Sequence, residues 1–129
     1  MISLPSSVRV FLHAPPTDLR KGFDALSGLV STAYGQDPTS GHLFLFVNRR
    51  RDRVKILYWD RDGLAIWYKR LENPGTFQLP AVGPNAGSIE MTTTQLSLIL
   101  SGIDLGSARQ RKRYQRPTPA AEKSISSLL

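Results

Sequence analysis

Short apolar runs recur along the chain and predict β-strands. The first, at 7–13, is rich in β-branched and aromatic residues and is ended by Pro15 and Pro16, which cannot donate to a β-ladder. Three further runs of strand length follow at 42–48, 53–60 and 64–70. Short connections between them predict an antiparallel β-meander, with Gly63 supplying the positive φ of the second hairpin turn. The stretches GTFQLP and GSIEMT are candidates for short edge strands.

Apolar spacings of three and four residues predict two helices. Thr17 or Asp18 can cap the first helix, which ends near Gly35 and whose apolar stripe contains Leu19, Phe23, Leu26, Val30 and Ala33. Thr92 and Gln95 fit a capping box for a second helix, with Gly102 near its end. The apolar face of this second helix consists of Leu96, Ile99, Leu100 and Ile103.

The predicted strands carry apolar residues on both faces. One face can pack on the first helix, whereas the other is covered by the last helix, covered by a partner, or left as an exposed patch. The hairpin register decides which aromatic residues share a face. A three-residue loop at 61–63 places Trp59 and Trp67 on the same side, and a two-residue loop separates them.

Composition supports one small domain of the α+β class. The 129 residues are 40% hydrophobic, enough to bury a single core, and we expect an antiparallel β-meander packed against one helix, with a short C-terminal helix. No cysteine is present, and no early apolar run has the length of a signal peptide or membrane span, so we expect a cytoplasmic protein. Residues 1–105 form the predicted domain, and residues 106–129 form a basic, flexible tail.

The net charge of +7 favours an acidic partner such as nucleic acid, and most of it is concentrated in the tail. Residues 1–105 contain eleven basic and nine acidic residues, whereas residues 106–129 contain six basic and one acidic residue. Three clusters are candidates for phosphate contacts: Arg20 and Lys21; Arg49, Arg50, Arg51 and Arg53; and Arg109, Arg111, Lys112 and Arg113.

Each cluster has a plainer interpretation. Arg20 and Lys21 fall in the opening turn of the predicted helix, where cations oppose the macrodipole unless an anion binds, but both can also be solvated side chains. The arginine loop at 49–53 can protect a sheet edge from pairing with another chain. On the phosphate interpretation, the hairpin aromatics belong to the core and do not stack on bases.

The sequence offers little for catalysis. Asp60 and Asp62, with Asp24 or Glu72, are a conceivable metal-binding set, but the turn and the strand end explain the first two. His13 and His42 lack metal-ligand spacing, no glycine-rich phosphate loop is present, and the serines lack a recognisable base. We therefore expect no catalytic residues, no metal site and no cofactor.

Three segments resemble a known family: TDLRKGFDALSGLV, DPTSGHLFLFVNRRRDRVKILYWDRDGLAIWYKRLE and TTQLSLILSGID. In order, they resemble the TnpB-type accessory protein that is encoded beside the transposase in bacterial insertion sequences of the IS66 family. The resemblance extends over residues 1 to about 105 and leaves out the tail. It departs from the family at Arg51, where glycine is more usual, and at Tyr58, where tryptophan is common.

The resemblance implies a non-catalytic protein that assists DNA transposition, while strand cleavage and joining are attributed to the larger transposase. We expect DNA at the element ends to be one partner and the transposase another, with the element's other small accessory protein as a further candidate and no membrane association. The alternative is a pure protein-interaction module without DNA contact. Such a module would dock the transposase through an aromatic sheet face made of Trp59, Trp67, Phe44 and Phe46.

Overall fold

The structure is a computed structural model that describes residues 7–83, 86–102 and 113–114, and these contain a five-stranded mixed sheet. The strand order is β4-β3-β2-β1-β5. Strands β1 and β2 are parallel, and all other neighbours are antiparallel, so β2, β3 and β4 form the predicted meander. The strands are β1 (Val10–His13), β2 (Leu43–Val47), β3 (Arg53–Asp60), β4 (Gly63–Arg70) and β5 (Ser88–Met91).

Helix α1 (Phe23–Ala33) connects the parallel strands β1 and β2, as such a connection requires. It begins later than the apolar spacing predicts, because Asp18 caps a separate turn and Gly22 is the helix N-cap. Leu19 is nevertheless buried against the same core as the helix. Phe23 was predicted to lie on the buried stripe, but it is 49% exposed.

Helix α2 (Thr93–Ser101) has the predicted capping box. The Gln95 backbone N–H donates to Thr92 Oγ1 at 3.0 Å, and the Thr92 N–H donates to Gln95 Oε1 at 2.9 Å. Gly102 ends the helix with φ of 82°, a left-handed conformation that glycine adopts without strain. Leu96, Ile99 and Leu100 are buried, and Ile103 lies outside the described residues.

The two helices cover opposite faces of the sheet. Every residue of the central strand β2 is buried, because α1 covers one face while α2 and the segment after β4 cover the other. The core on the α1 face includes Phe11, Leu26, Val30, Phe44, Phe46 and Leu57. The core on the α2 face includes Val10, Leu12, Leu45, Ile56, Phe77, Leu96 and Leu100.

The hairpin between β3 and β4 has a two-residue loop, because Asp60 pairs with Gly63. The positive φ falls on Arg61, at 61°, and Gly63 begins β4, so the predicted role of Gly63 is wrong. This register pairs Trp59 with Leu64 and Trp67 with Ile56. The two tryptophans therefore point to opposite faces of the sheet.

Of the two candidate edge strands, GSIEMT contains β5, which pairs with β1. GTFQLP is not a strand, but its Phe77 is buried on the α2 face, and the Phe77 N–H donates to the Arg51 carbonyl at 2.7 Å. Within the described ranges, neither helix is long and apolar enough to span a bilayer. The predicted domain boundary at Leu105 and all of the tail except Arg113 and Tyr114 lie outside those ranges.

Candidate nucleic-acid interface

The loop between β2 and β3 is organised by one side chain, Asn48. Its Oδ1 accepts the backbone N–H groups of Asp52, at 3.1 Å, and Arg53, at 3.0 Å. Its Nδ2 donates to Asp52 Oδ1 at 2.6 Å. These bonds satisfy the backbone of a sharp five-residue connection and leave Arg49 and Arg50 exposed at its tip.

Arg51 differs from the other loop arginines. Its φ is 59°, in the left-handed region that disfavours residues with a Cβ atom. Its N–H donates to the Asn48 carbonyl, and its carbonyl accepts the Phe77 N–H. The left-handed backbone explains why glycine suits this position. Arg51 also does not line the cleft described below.

A second segment, residues 16–20, lies beside this loop and contains Arg20. The Thr17 N–H donates to the Val47 carbonyl at 2.9 Å, which fixes the segment to the end of β2. The Arg20 guanidinium and its backbone N–H bind the Asp18 carboxylate at 2.6 to 3.0 Å. These hydrogen bonds, aided by the charge of Arg20, hold the pKa of Asp18 well below its usual range. The ion pair gives the exposed Arg20 side chain a partner within its own segment.

Arg20 and Lys21 do not occupy the first turn of α1. The helix begins at Phe23, so the proposed conflict of these cations with its macrodipole does not exist. The Lys21 carbonyl instead accepts a hydrogen bond from Lys55 Nζ at 2.9 Å. Lys21 does not line the cleft, so the structure separates it from Arg20.

The loop and the segment at 16–20 enclose a cleft of about 580 Å³. The cleft unites Arg20 with three of the four loop arginines predicted from the sequence, Arg49, Arg50 and Arg53. Two carboxylates also line it, but Asp18 binds Arg20, and Asp52 accepts from Asn48. Four guanidinium groups against two carboxylates leave two positive charges in excess, and because Arg20 is paired with Asp18 this excess comes from the arginines of the loop, which makes the cleft suited to an anion.

Tyr68 forms one wall of this cleft and is 48% exposed, contrary to the expectation that the hairpin aromatics lie in the core. Arg53 Nη1 donates to its hydroxyl at 3.3 Å, and Lys55 Nζ lies 4.9 Å from the ring centroid. Strand register places Tyr68 opposite Lys55, and only the loop length fixes that register. The alternation of β4 alone therefore could not reveal this residue.

Of the four tail cations proposed for phosphate contacts, only Arg113 is described; Arg109, Arg111 and Lys112 lie outside the described residues. The Arg113 guanidinium lies over the Phe77 ring, 5.6 Å from its centroid, and Nη2 donates to the Thr76 carbonyl at 3.4 Å. Burial and the neighbouring Arg113 charge lower the pKa of Lys69. Arg113 therefore packs on the domain and does not line the cleft.

The four aromatic residues suggested for partner docking do not form a common surface. Phe44 and Phe46 are 0% exposed, because they lie on the central strand under α1. Trp59 and Trp67 are half-buried on opposite faces. Trp67 packs on the core below α2, and the Trp59 indole N–H donates to the Arg61 carbonyl at 3.1 Å.

In the part of the chain that the structure describes, no three His, Asp or Glu side chains are grouped closely enough to hold a metal ion. Asp60 and Asp62 lie at the turn between β3 and β4. Register places this turn at the opposite end of the sheet from the loop at 48–52. Asp60 and Asp62 are therefore remote from the arginine cleft, whereas Glu72 follows β4 at the same end of the sheet as the loop.

Comparison with known proteins identifies the family. The family described as IS66 Orf2 like protein matches residues 8–110. Two proteins of Sinorhizobium fredii (strain NBRC 101917 / NGR234) are similar over nearly the whole chain. The one named "Uncharacterized protein y4jC" is 35% identical over 121 residues, covering 94% of this chain and 100% of that protein. The one named "Uncharacterized protein y4hO" is 36% identical over 117 residues, covering 89% and 96% respectively.

No solved structure matches the chain. The family match covers every described strand and both helices, together with all the residues that line the cleft. It agrees with the resemblance found in the sequence segments. The chain therefore belongs to the family of IS66 Orf2-like proteins, which are accessory proteins of insertion sequences.

Proposed function

We propose that this accessory protein assists transposition by binding DNA phosphates in the arginine cleft, without catalysing strand cleavage itself. One observation carries the proposal. Arg20 precedes α1 in sequence, whereas Arg49, Arg50 and Arg53 follow β2, yet the fold brings all four to one cleft. The guanidinium group donates two parallel hydrogen bonds to phosphate oxygens, so this arrangement suits a polyanion.

The charge state of the loop supports an anionic partner. Within the described ranges, the ion pairs of arginine involve Arg9, Arg20 and Arg70, and none involves Arg49 or Arg50. Neighbouring exposed guanidinium groups repel each other, and this repulsion is relieved when phosphates bind. Two exposed arginines without an ion pair among the described residues are therefore available to phosphates.

The residue types on the two helices favour contacts with phosphates over recognition of base edges. Side chains that read base edges in the major groove are mostly Arg, Lys, Asn and Gln on an inserted helix. Helix α1 (Phe23–Ala33) contains none of these residues. In α2 the sole candidate is Gln95, whose side chain is engaged in the capping box. We therefore expect weak dependence of affinity on DNA sequence.

The transposase of the same element is the proposed protein partner, and the element's other small accessory protein is a further candidate. A pure protein-docking role is the weaker alternative, because its aromatic surface is divided between two faces and two of its residues are buried. A pull-down with transposase in the presence and absence of DNA separates the two roles. Capture that persists without DNA and is lost when Trp59 or Trp67 is replaced would favour docking.

The direct test of DNA binding compares variants that lose equal charge. Arg49→Ala with Arg50→Ala removes two cleft cations, whereas Arg9→Ala with Arg61→Ala removes two from the other end of the sheet. We expect the cleft variant to bind element-end DNA at least about tenfold more weakly than the control at low salt. A chain ending at Leu105 measures the contribution of the tail separately. Equal binding by both double variants, or no binding by the wild type, would refute the proposal.

A further inference from the structure

Tyr68 has a place in the cleft that binding to DNA phosphates alone does not explain. It lies on the edge strand β4 among the arginines and presents about half of its surface to solvent. Phosphates of a duplex are contacted by cations, amide donors and hydroxyl groups, and the Tyr68 hydroxyl already accepts from Arg53, whereas the face of its ring adds little to phosphate binding. The ring therefore indicates a ligand with an accessible aromatic part.

Two neighbours contact the Tyr68 side chain and favour one orientation of its ring. The Arg53 guanidinium binds its hydroxyl, and the Lys55 ammonium lies above its ring at 4.9 Å. Lys55 is itself fixed by its bond to the Lys21 carbonyl. A ring positioned in advance loses little conformational entropy when a planar group stacks on it.

We propose that the cleft binds single-stranded DNA, with an unpaired base stacked on Tyr68 and the flanking phosphates on the arginines. This inference rests on the proposed function and specifies its ligand. Proteins that bind single strands without sequence preference combine a basic groove with an aromatic stacking platform, and every base has a face that can stack. In a duplex the bases are paired and stacked inside the helix, so none can reach Tyr68.

The size of the cleft is consistent with this ligand. A volume of about 580 Å³ lies within the range of sites that enclose a small molecule, and a nucleotide is of that order. Asn48 and Asp52 line the same cleft and can orient polar groups, although their side chains already bond to each other. A strand with free backbone torsions can insert one nucleotide, whereas a duplex would touch only the rim.

The test measures the affinity of the full chain for a fluorescein-labelled oligothymidine and for a duplex of equal length, at one low salt concentration. Tyr68→Leu removes the ring, and Tyr68→Phe removes only the hydroxyl. Phe23→Leu is the control, because Phe23 is exposed to a similar extent, at 49%, and does not line the cleft. Circular dichroism and thermal melting confirm that each variant is folded.

We expect the wild type to prefer the single strand, and Tyr68→Leu to lose at least about fivefold in single-strand affinity with little change for the duplex. Tyr68→Phe and Phe23→Leu should remain within about twofold of the wild type. If Tyr68→Leu affects neither ligand, if Tyr68→Phe loses as much as Tyr68→Leu, or if the duplex binds as tightly as the single strand, the stacking inference is wrong while phosphate binding stands. Failure of the wild type to bind either DNA would overturn both proposals.

Discussion

Replacing Arg51 by glycine should make the protein more stable, although it removes an exposed side chain. Arg51 has φ of 59°, and a left-handed conformation costs a residue with a Cβ atom about 1–2 kcal/mol. Glycine avoids this strain but loses more backbone entropy on folding, by about 0.5–1 kcal/mol. The difference predicts a gain of about 0.5–1 kcal/mol in the free energy of unfolding.

The hydrogen bonds at this position should survive the substitution. Both use the Arg51 backbone, which donates to the Asn48 carbonyl and accepts from Phe77. Removing one of four neighbouring positive charges also lowers repulsion in the loop, by an amount that salt would reduce. The gain corresponds to a rise of about 2 to 6 °C in the melting temperature of a domain of this size.

Urea and thermal denaturation followed by circular dichroism measure the effect, with Arg50→Gly as the matched control. Arg50 is exposed in the same loop and does not have a positive φ, so glycine there should destabilise by about 0.5–1 kcal/mol. Because Arg51 does not line the cleft, Arg51→Gly should also weaken DNA binding less than Arg49→Ala. Equal destabilisation by Arg51→Gly and Arg50→Gly would refute the assignment of strain to Arg51.

Three further substitutions test the core and the loop. Asn48→Ala removes the side-chain bonds that order the loop and should lower the free energy of unfolding by about 2 kcal/mol, measured by urea denaturation, and weaken DNA binding. Phe44→Ala should lower the free energy of unfolding by about 3–5 kcal/mol, because Phe44 is buried in the core. A variant that stays folded with wild-type stability and loses only transposase binding would contradict this prediction. Burial lowers the pKa of His13, so the unfolded chain takes up the proton first and stability should fall as pH drops below about 6.5. His13→Gln should reduce this loss of stability, measured as the difference in melting temperature between pH 7.5 and pH 5.5. A difference equal to that of the wild type would contradict the prediction.

Local signals in the sequence predicted several elements correctly. The capping box of Thr92 and Gln95 and the meander of β2, β3 and β4 depend on residues close in sequence, where spacing and turn chemistry suffice. The start of α1 was predicted too early, because the Asp18 side chain can cap either a helix or an isolated turn. Phe44 and Phe46 were expected at a partner surface, since alternation alone could not show that both faces of β2 are covered.

The cleft could be predicted only in part. The arginines are visible in the sequence, but their convergence depends on the long-range bond between Thr17 and Val47. The phosphate interpretation places the hairpin aromatics in the core, and the sequence could not reveal that Tyr68 is exposed, because its exposure depends on a hairpin register that one residue of loop length changes. Nothing in the sequence marks Asn48 except its position before three arginines. Its role in ordering the loop becomes visible only in the folded structure, where its side chain bonds to Asp52.

The salt dependence of DNA binding tests the central claim most directly. Each phosphate contact releases counterions, so each cleft arginine should contribute about 0.7 to the slope of log affinity against log salt for single strands and about 0.9 for duplex DNA. Arg49→Ala with Arg50→Ala should therefore lower the slope by about 1.4 to 1.8, whereas Arg9→Ala with Arg61→Ala should leave it within about 0.5 of the wild type. Slopes that are equal for the cleft variant and the wild type would contradict the account.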